Sequence, residues 1–87
     1  METLNPLADT KPQPTREALA AVIVEALAQA GVSRLEAAER TGISRETFRR
    51  KASGAGKAFD SDELAAIATL LGTTVSDLTA RAEGRAA

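Results

Sequence analysis

Val32-Ser33-Arg34-Leu35-Glu36-Ala37-Ala38-Glu39-Arg40-Thr41-Gly42-Ile43-Ser44-Arg45-Glu46-Thr47-Phe48-Arg49-Arg50 reads as two short helices and the turn between them. Ser33 followed three residues later by Glu36 has the spacing of a capping box, so a helix starts there and ends near Thr41, before Gly42. Ser44 caps the next helix, which stops around Ala52 or Ser53, before Gly54. Two helices this short, joined by so few residues, must cross steeply to bury one small core. The crossing needs a small side chain at the contact, and Ala38 supplies it. The turn needs a left-handed backbone, which Gly42 adopts without a Cβ penalty. Ile43 fills the corner and Phe48 anchors the second helix inward.

The same punctuation continues on both sides. Thr15 caps a helix running to about Ala30, where Gly31 stops it. Leu19, Ile23, Leu27 and Ala30 recur there at helical spacing, and the Ala-rich neighbours of Val22-Ile23-Val24 favour helix over strand. Asp60 with Glu63 opens a fourth helix, with Leu64, Ile67, Ala68 and Leu71 on one face and Gly72 at its end. Thr74 with Asp77 opens a fifth, carrying Val75, Leu78 and Ala82. The expected fold is therefore all-α, a compact bundle of five helices over residues 15–82. Residues 1–14 contain all three prolines and show no sustained apolar period, which predicts a flexible N-terminal arm. Residues 83–87 are expected to fray.

Composition narrows the function. The 87 residues include no His and no Cys. Their absence removes imidazole acid–base chemistry, thiol nucleophiles, Ser-His-Asp triads, and zinc sites with Cys or His ligands. Nineteen residues are Ala and only two are aromatic, both Phe. No catalytic residue, metal site, cofactor or small-molecule ligand is expected, and an enzyme is not the reading. Gly56-Lys57 lacks the earlier Gly and the following Ser or Thr of a phosphate-binding loop. Asp60-Ser61-Asp62-Glu63 lacks the spacing and turn glycine of a calcium loop, and reads as acid in the first turn of a helix. No apolar run has the length of a membrane span and no secretory signal pattern opens the chain, so a cytoplasmic, nucleoid-associated protein of a bacterial host is expected.

The formal net charge of −1 conceals a strong asymmetry. Between Arg34 and Lys57 lie seven basic and three acidic residues, a local charge of +4. The remainder holds four basic and nine acidic residues, or −5. A basic stripe on a nearly neutral protein can bind phosphate with less non-specific adhesion than a uniformly basic chain.

The segment from Ser33 to Gly54 resembles the helix-turn-helix of the phage repressor and Cro family, the lambda-repressor-like proteins. The later stretches Thr47-Phe48-Arg49-Arg50-Lys51, Phe59, Asp62-Glu63-Leu64-Ala65-Ala66-Ile67-Ala68 and Leu71-Gly72 extend the similarity to small regulators common in phages and high-GC bacteria. It covers about Thr15 to Ala82. There are two departures. Arg34 stands at the first position of the motif, where the family usually has Gln, and Lys51 stands near the end of the second helix at a usually apolar position. The resemblance implies a sequence-specific double-stranded DNA-binding regulator that inserts helix 44–53 into the major groove of an operator and blocks transcription.

At about 100° per residue, with Phe48 inward, Glu46, Arg49, Arg50 and Ser53 point most nearly outward and Arg45 lies on the flank. Arg45, Glu46, Arg49 and Arg50 are accordingly the base-contacting candidates. Arg suits guanine O6 and N7, and Glu accepts from cytosine N4, which favours GC-containing half-sites. Arg34, Ser44, Thr47 and Lys57 are the phosphate-contacting candidates. The competing reading is a solvated face in which these arginines pair with Glu36, Glu39 and Glu46. A lone module of this kind binds weakly, so two copies on an inverted repeat are expected, as a homodimer formed in solution or only on DNA. No separate effector or oligomerisation domain is expected. The alternative function is a protein-interaction module, such as an antitoxin or anti-regulator, built on the same fold.

Overall fold

The computed structural model describes residues 15–86, and within them every regular element is a helix. The expected arm over 1–14 lies outside the described residues, as does residue 87. The five helices are α1 (Arg16–Ala30), α2 (Arg34–Thr41), α3 (Arg45–Ala52), α4 (Ser61–Leu71) and α5 (Val75–Ala86). Each of the first four starts on the predicted cap. Thr15, Ser33, Ser44 and Asp60 hold extended backbone and accept from the amide three residues on. This supplies one orphan donor of each first turn with an acceptor.

The capping boxes themselves are fewer than the spacing suggested. Only Asp60 and Glu63 form the reciprocal pair, with Asp60 N–H donating to Glu63 Oε1 at 2.8 Å and Glu63 N–H to Asp60 Oδ1 at 2.8 Å. Glu36 instead turns along its own helix to Arg40, 3.2 Å away. Asp77 accepts from the Thr73 hydroxyl at 2.9 Å and pairs with Arg81 at 3.0 Å. In both cases a partner one turn on, or just before the cap, competes for the carboxylate, and residue spacing does not register that competition.

The core gathers one face of every helix. Ile23 and Leu27 from α1, Ala37 and Ala38 from α2, Phe48 from α3, Ile67 from α4, and Leu78 and Ala82 from α5 are all at most 2% exposed. Phe59, in the segment before α4, closes over Phe48 with ring centroids 5.4 Å apart and planes tilted by 59°. The stripe on α1 is rotated from the expected one, with Val22 buried at 3% and Ala30 exposed. Ala30 falls in the last turn and stays exposed, while Val22 packs into the main cluster.

α5 runs along α1. It continues past Glu83, where fraying was expected. The cause is tertiary: Ala82 is fully buried, and Arg85 reaches Glu25 of α1 at 3.6 Å, so the last turn has something to hold. α1 and α2 meet at a bend of 101°. α2 is packed against both α3 and α4, whereas α3 and α4 make no close backbone approach of their own. The bundle thus presents α3 at its edge with its outer face uncovered.

Candidate nucleic-acid interface

The turn between α2 and α3 is made as its residues require. Gly42 takes φ +80°, ψ +8° and donates its N–H to the Ala38 carbonyl at 3.0 Å. Ala38 is 1% exposed and Ala37 is fully buried, so the centre of α2 meets its neighbours through methyl groups. Ile43 is half-buried against the core, and the Ser44 hydroxyl accepts from Thr47 N–H at 3.2 Å to start α3. With Phe48 at 0% exposure, the rest of α3 is oriented without ambiguity.

Glu46, Arg49 and Arg50 project outward, with side chains 69%, 71% and 57% exposed. Glu46 Oε2 lies 3.3 Å from Arg50 and 3.9 Å from Arg49, so one carboxylate serves two guanidinium groups. At this exposure such contacts contribute little to stability and can be exchanged for others at small cost. Arg34, at the start of α2, joins Arg45 and Arg49 around a shallow depression of about 330 Å³ with Leu35 in it. Among the described residues, Arg34, Arg45 and Lys57 have no carboxylate within salt-bridge distance. The loop after α3 folds back on the same side. A Cβ on Gly56 would stand 3.5 Å from Arg50 Cδ, which places Lys57 beside the end of the basic face.

Thr47 is placed elsewhere. It is half-buried and lines a cleft with Thr41, Gly42, Ile43, Ser44, Asp62, Glu63 and Ala66. Of the two carboxylates in that cleft Glu63 is paired with Lys51, and Thr47 is not brought together with the arginines. Ser44 sits at the lip, exposed, between this cleft and the basic face.

Lys51 resolves the second departure from the family pattern. Its ammonium lies 2.7 Å from Glu63 Oε1, the oxygen that also accepts from Asp60 N–H, with side chains only 15% and 17% exposed. The charge at a usually apolar position is thus neutralised by the cap of α4. This ties the C-terminal end of α3 to a helix it does not otherwise touch through its backbone. Ala52, one residue on, is 4% exposed, so that end is packed. Glu63→Ala, which removes both the box and the partner of Lys51, is expected to cost about 2–3 kcal/mol. Lys51→Met keeps the volume but leaves the Glu63 carboxylate, 17% exposed, with Asp60 N–H as its remaining partner, and is expected to cost about 1–2 kcal/mol. Thermal unfolding of the two variants side by side checks the asymmetry, and equal losses would refute it.

Just past the C-terminal end of α3, Gly54 is buried with φ +84°, and a Cβ there would lie 3.5 Å from Glu17 Cα. Its carbonyl accepts from Arg16 Nε at 3.3 Å, which fixes the loop after α3 on the first turn of α1. The C-terminal end of the basic face is therefore anchored twice, to α4 through Lys51 and to α1 through Gly54.

A helix-turn-helix held rigidly at the edge of a five-helix bundle, with an exposed basic second helix, defines a DNA-binding module. Residues 23–82 match the Cro/C1-type HTH DNA-binding domain, and the chain belongs to that family. Two crystal structures of the clp gene regulator ClgR from Corynebacterium glutamicum are similar to it. One superposes with a TM-score of 0.76 at 30% identity, covering 87% of this chain and 79% of that one. The other superposes with the same score at 33% identity, covering 84% and 94%. No curated protein matches the chain. The chain is a double-stranded-DNA-binding transcription regulator of a family that is generally non-enzymatic. Among the described residues no single helix is long and apolar enough to cross a membrane, and no group of three potential ligands gathers to hold a metal ion.

Proposed function

We propose that the protein is a sequence-specific repressor of the Cro/repressor type that covers a promoter by inserting α3 into the major groove of its operator. The observation that carries this reading is the outward set Arg45, Glu46, Arg49 and Arg50 on a helix locked by Phe48. Arg45 and Arg50 take guanine edges, Glu46 takes a cytosine amino group, and Arg49 completes the base-facing row. Arg34, Lys57 and the N-terminal turn of α3 at Ser44 hold phosphates on either side. Thr47, in the cleft beside the first turn of α3, is a further phosphate-contacting candidate. The assignment to phage or prophage control rests on the motif.

Two copies bind an inverted repeat with half-sites about one helical turn apart, as a homodimer completed on DNA. Working on DNA, the protein acts in the cytoplasm. Selection from a random duplex pool at near-physiological salt tests the reading. Enrichment of an inverted repeat supports it and measures the half-site spacing. If nothing is enriched, and binding at low salt is no stronger, the basic face serves a protein partner instead.

A further inference from the structure

We infer that Leu35 reads the C5-methyl group of a thymine at the outer edge of each half-site, a contact that rests on the DNA-binding reading above. Leu35 is 46% exposed, the one large apolar side chain so exposed among the described residues. It lies in the first turn of α2. About 100° per residue turns it roughly 110° away from the mean direction of Ala37 and Ala38, which bind that helix to the core. It therefore contributes to a surface and not to the interior.

The surface is a built one. Leu35 shares its depression with Arg34, Arg45 and Arg49, and among the described residues no carboxylate lines it. Hydrocarbon surrounded by three guanidinium groups matches a partner that is anionic at its rim and apolar at one point. A duplex edge has that composition. Its phosphates form the rim, and the thymine methyl is the apolar group that the major groove displays. Position supports the same occupant. Arg34 opens α2, on the side proposed to hold a phosphate, and Arg45 and Arg49 belong to the helix proposed to face the bases. Between a phosphate and the base edge of its own strand lies the C5 side of the pyrimidine, and Leu35 stands between those two sets of arginines.

The test uses the operator recovered by selection, with each thymine replaced in turn by deoxyuridine, which removes the methyl group and nothing else. Affinities are measured for the wild type, Leu35→Ala and Leu35→Gln, the last keeping side-chain length without apolar surface. One thymine per half-site is expected at which deoxyuridine weakens the wild type about fourfold, the factor for one buried methyl group. Both variants should bind the two duplexes equally at that position. If wild type and variants respond alike at every thymine while operator binding remains salt-dependent, the inference is overturned and the DNA-binding reading stands. If the wild type binds no duplex, both fall. With two variants of different chemistry, a folding defect in one leaves the other to decide.

Discussion

Ala38→Glu is expected to leave the chain largely unfolded at room temperature. Ala38 is 1% exposed at the point where α2 meets its neighbours, and Ala37 beside it is fully buried, so no direction exists in which a longer side chain can escape. A carboxylate there must either stay ionised in an apolar core or be protonated without a partner, and it overpacks the crossing as well. Together these cost on the order of 5 kcal/mol, comparable with the whole stability of a domain of this size. Far-ultraviolet circular dichroism and thermal melting check the result. Ala65→Glu, at an exposed position on α4, makes the same chemical change and should stay within about 0.5 kcal/mol of wild type. A cooperative melt of the Ala38 variant within a few degrees of wild type would refute the packing account.

The second large effect concerns binding. Replacing Arg45 and Arg50 together by Ala should weaken operator binding by about 30-fold to 20,000-fold, taking about 1–3 kcal/mol for each guanine contact. Arg50 is 57% exposed and Arg45 is exposed, so the melting temperature should barely move. The loss should also be selective. Binding to the matched operator falls while binding to unrelated duplex changes far less, because bases and not phosphates have lost their partners. Arg34→Ala is the contrasting case. It should weaken binding to all sequences and lower the slope of log affinity against log salt by about one. Equal losses on matched and unrelated duplexes for the double variant would mean that Arg45 and Arg50 touch only the backbone.

The competing picture of a solvated, self-paired face finds partial expression in Glu46, which lies between Arg49 and Arg50. The energies decide how much weight that has. Ion pairs this exposed are worth a few tenths of a kcal/mol, less than a bidentate contact to guanine. Glu46 also holds the two arginine side chains on the outward side of α3, which lowers the ordering cost of their docking.

Most of the fold was readable from residue types at short spacing. Caps at Thr15, Ser33, Ser44 and Asp60, and left-handed glycines at Gly31, Gly42 and Gly72, bound helices that begin and end where expected. These signals are local. A hydroxyl or carboxylate reaches an amide three residues away whatever the rest of the chain does. Phe48 sets the rotation of α3, so the outward row Glu46, Arg49, Arg50 follows from helical geometry alone. The basic stripe between Arg34 and Lys57 likewise needed no coordinates.

What lay beyond sequence reading depends on which side chains from different helices compete for one partner. Lys51 looked like a defect in packing until Glu63, twelve residues on, was found against it, sharing one carboxylate oxygen with the cap of α4. The persistence of α5 past Glu83 comes from Ala82 in the core and from Glu25 of α1, neither of which marks a helix end locally. Thr47 stands apart from the arginines because α4 builds its cleft, with Asp62 and Glu63, on the other side of α3. Leu35 could have been set apart by its angle from Ala37 and Ala38, but its three arginine neighbours come from two helices whose relative placement no local pattern encodes. Caps, turns and helix faces belong to the sequence because their physics acts within a turn of the chain. The sharing of charges and the company of exposed side chains belong to the packed structure, because they are settled by groups that meet only after the chain has folded.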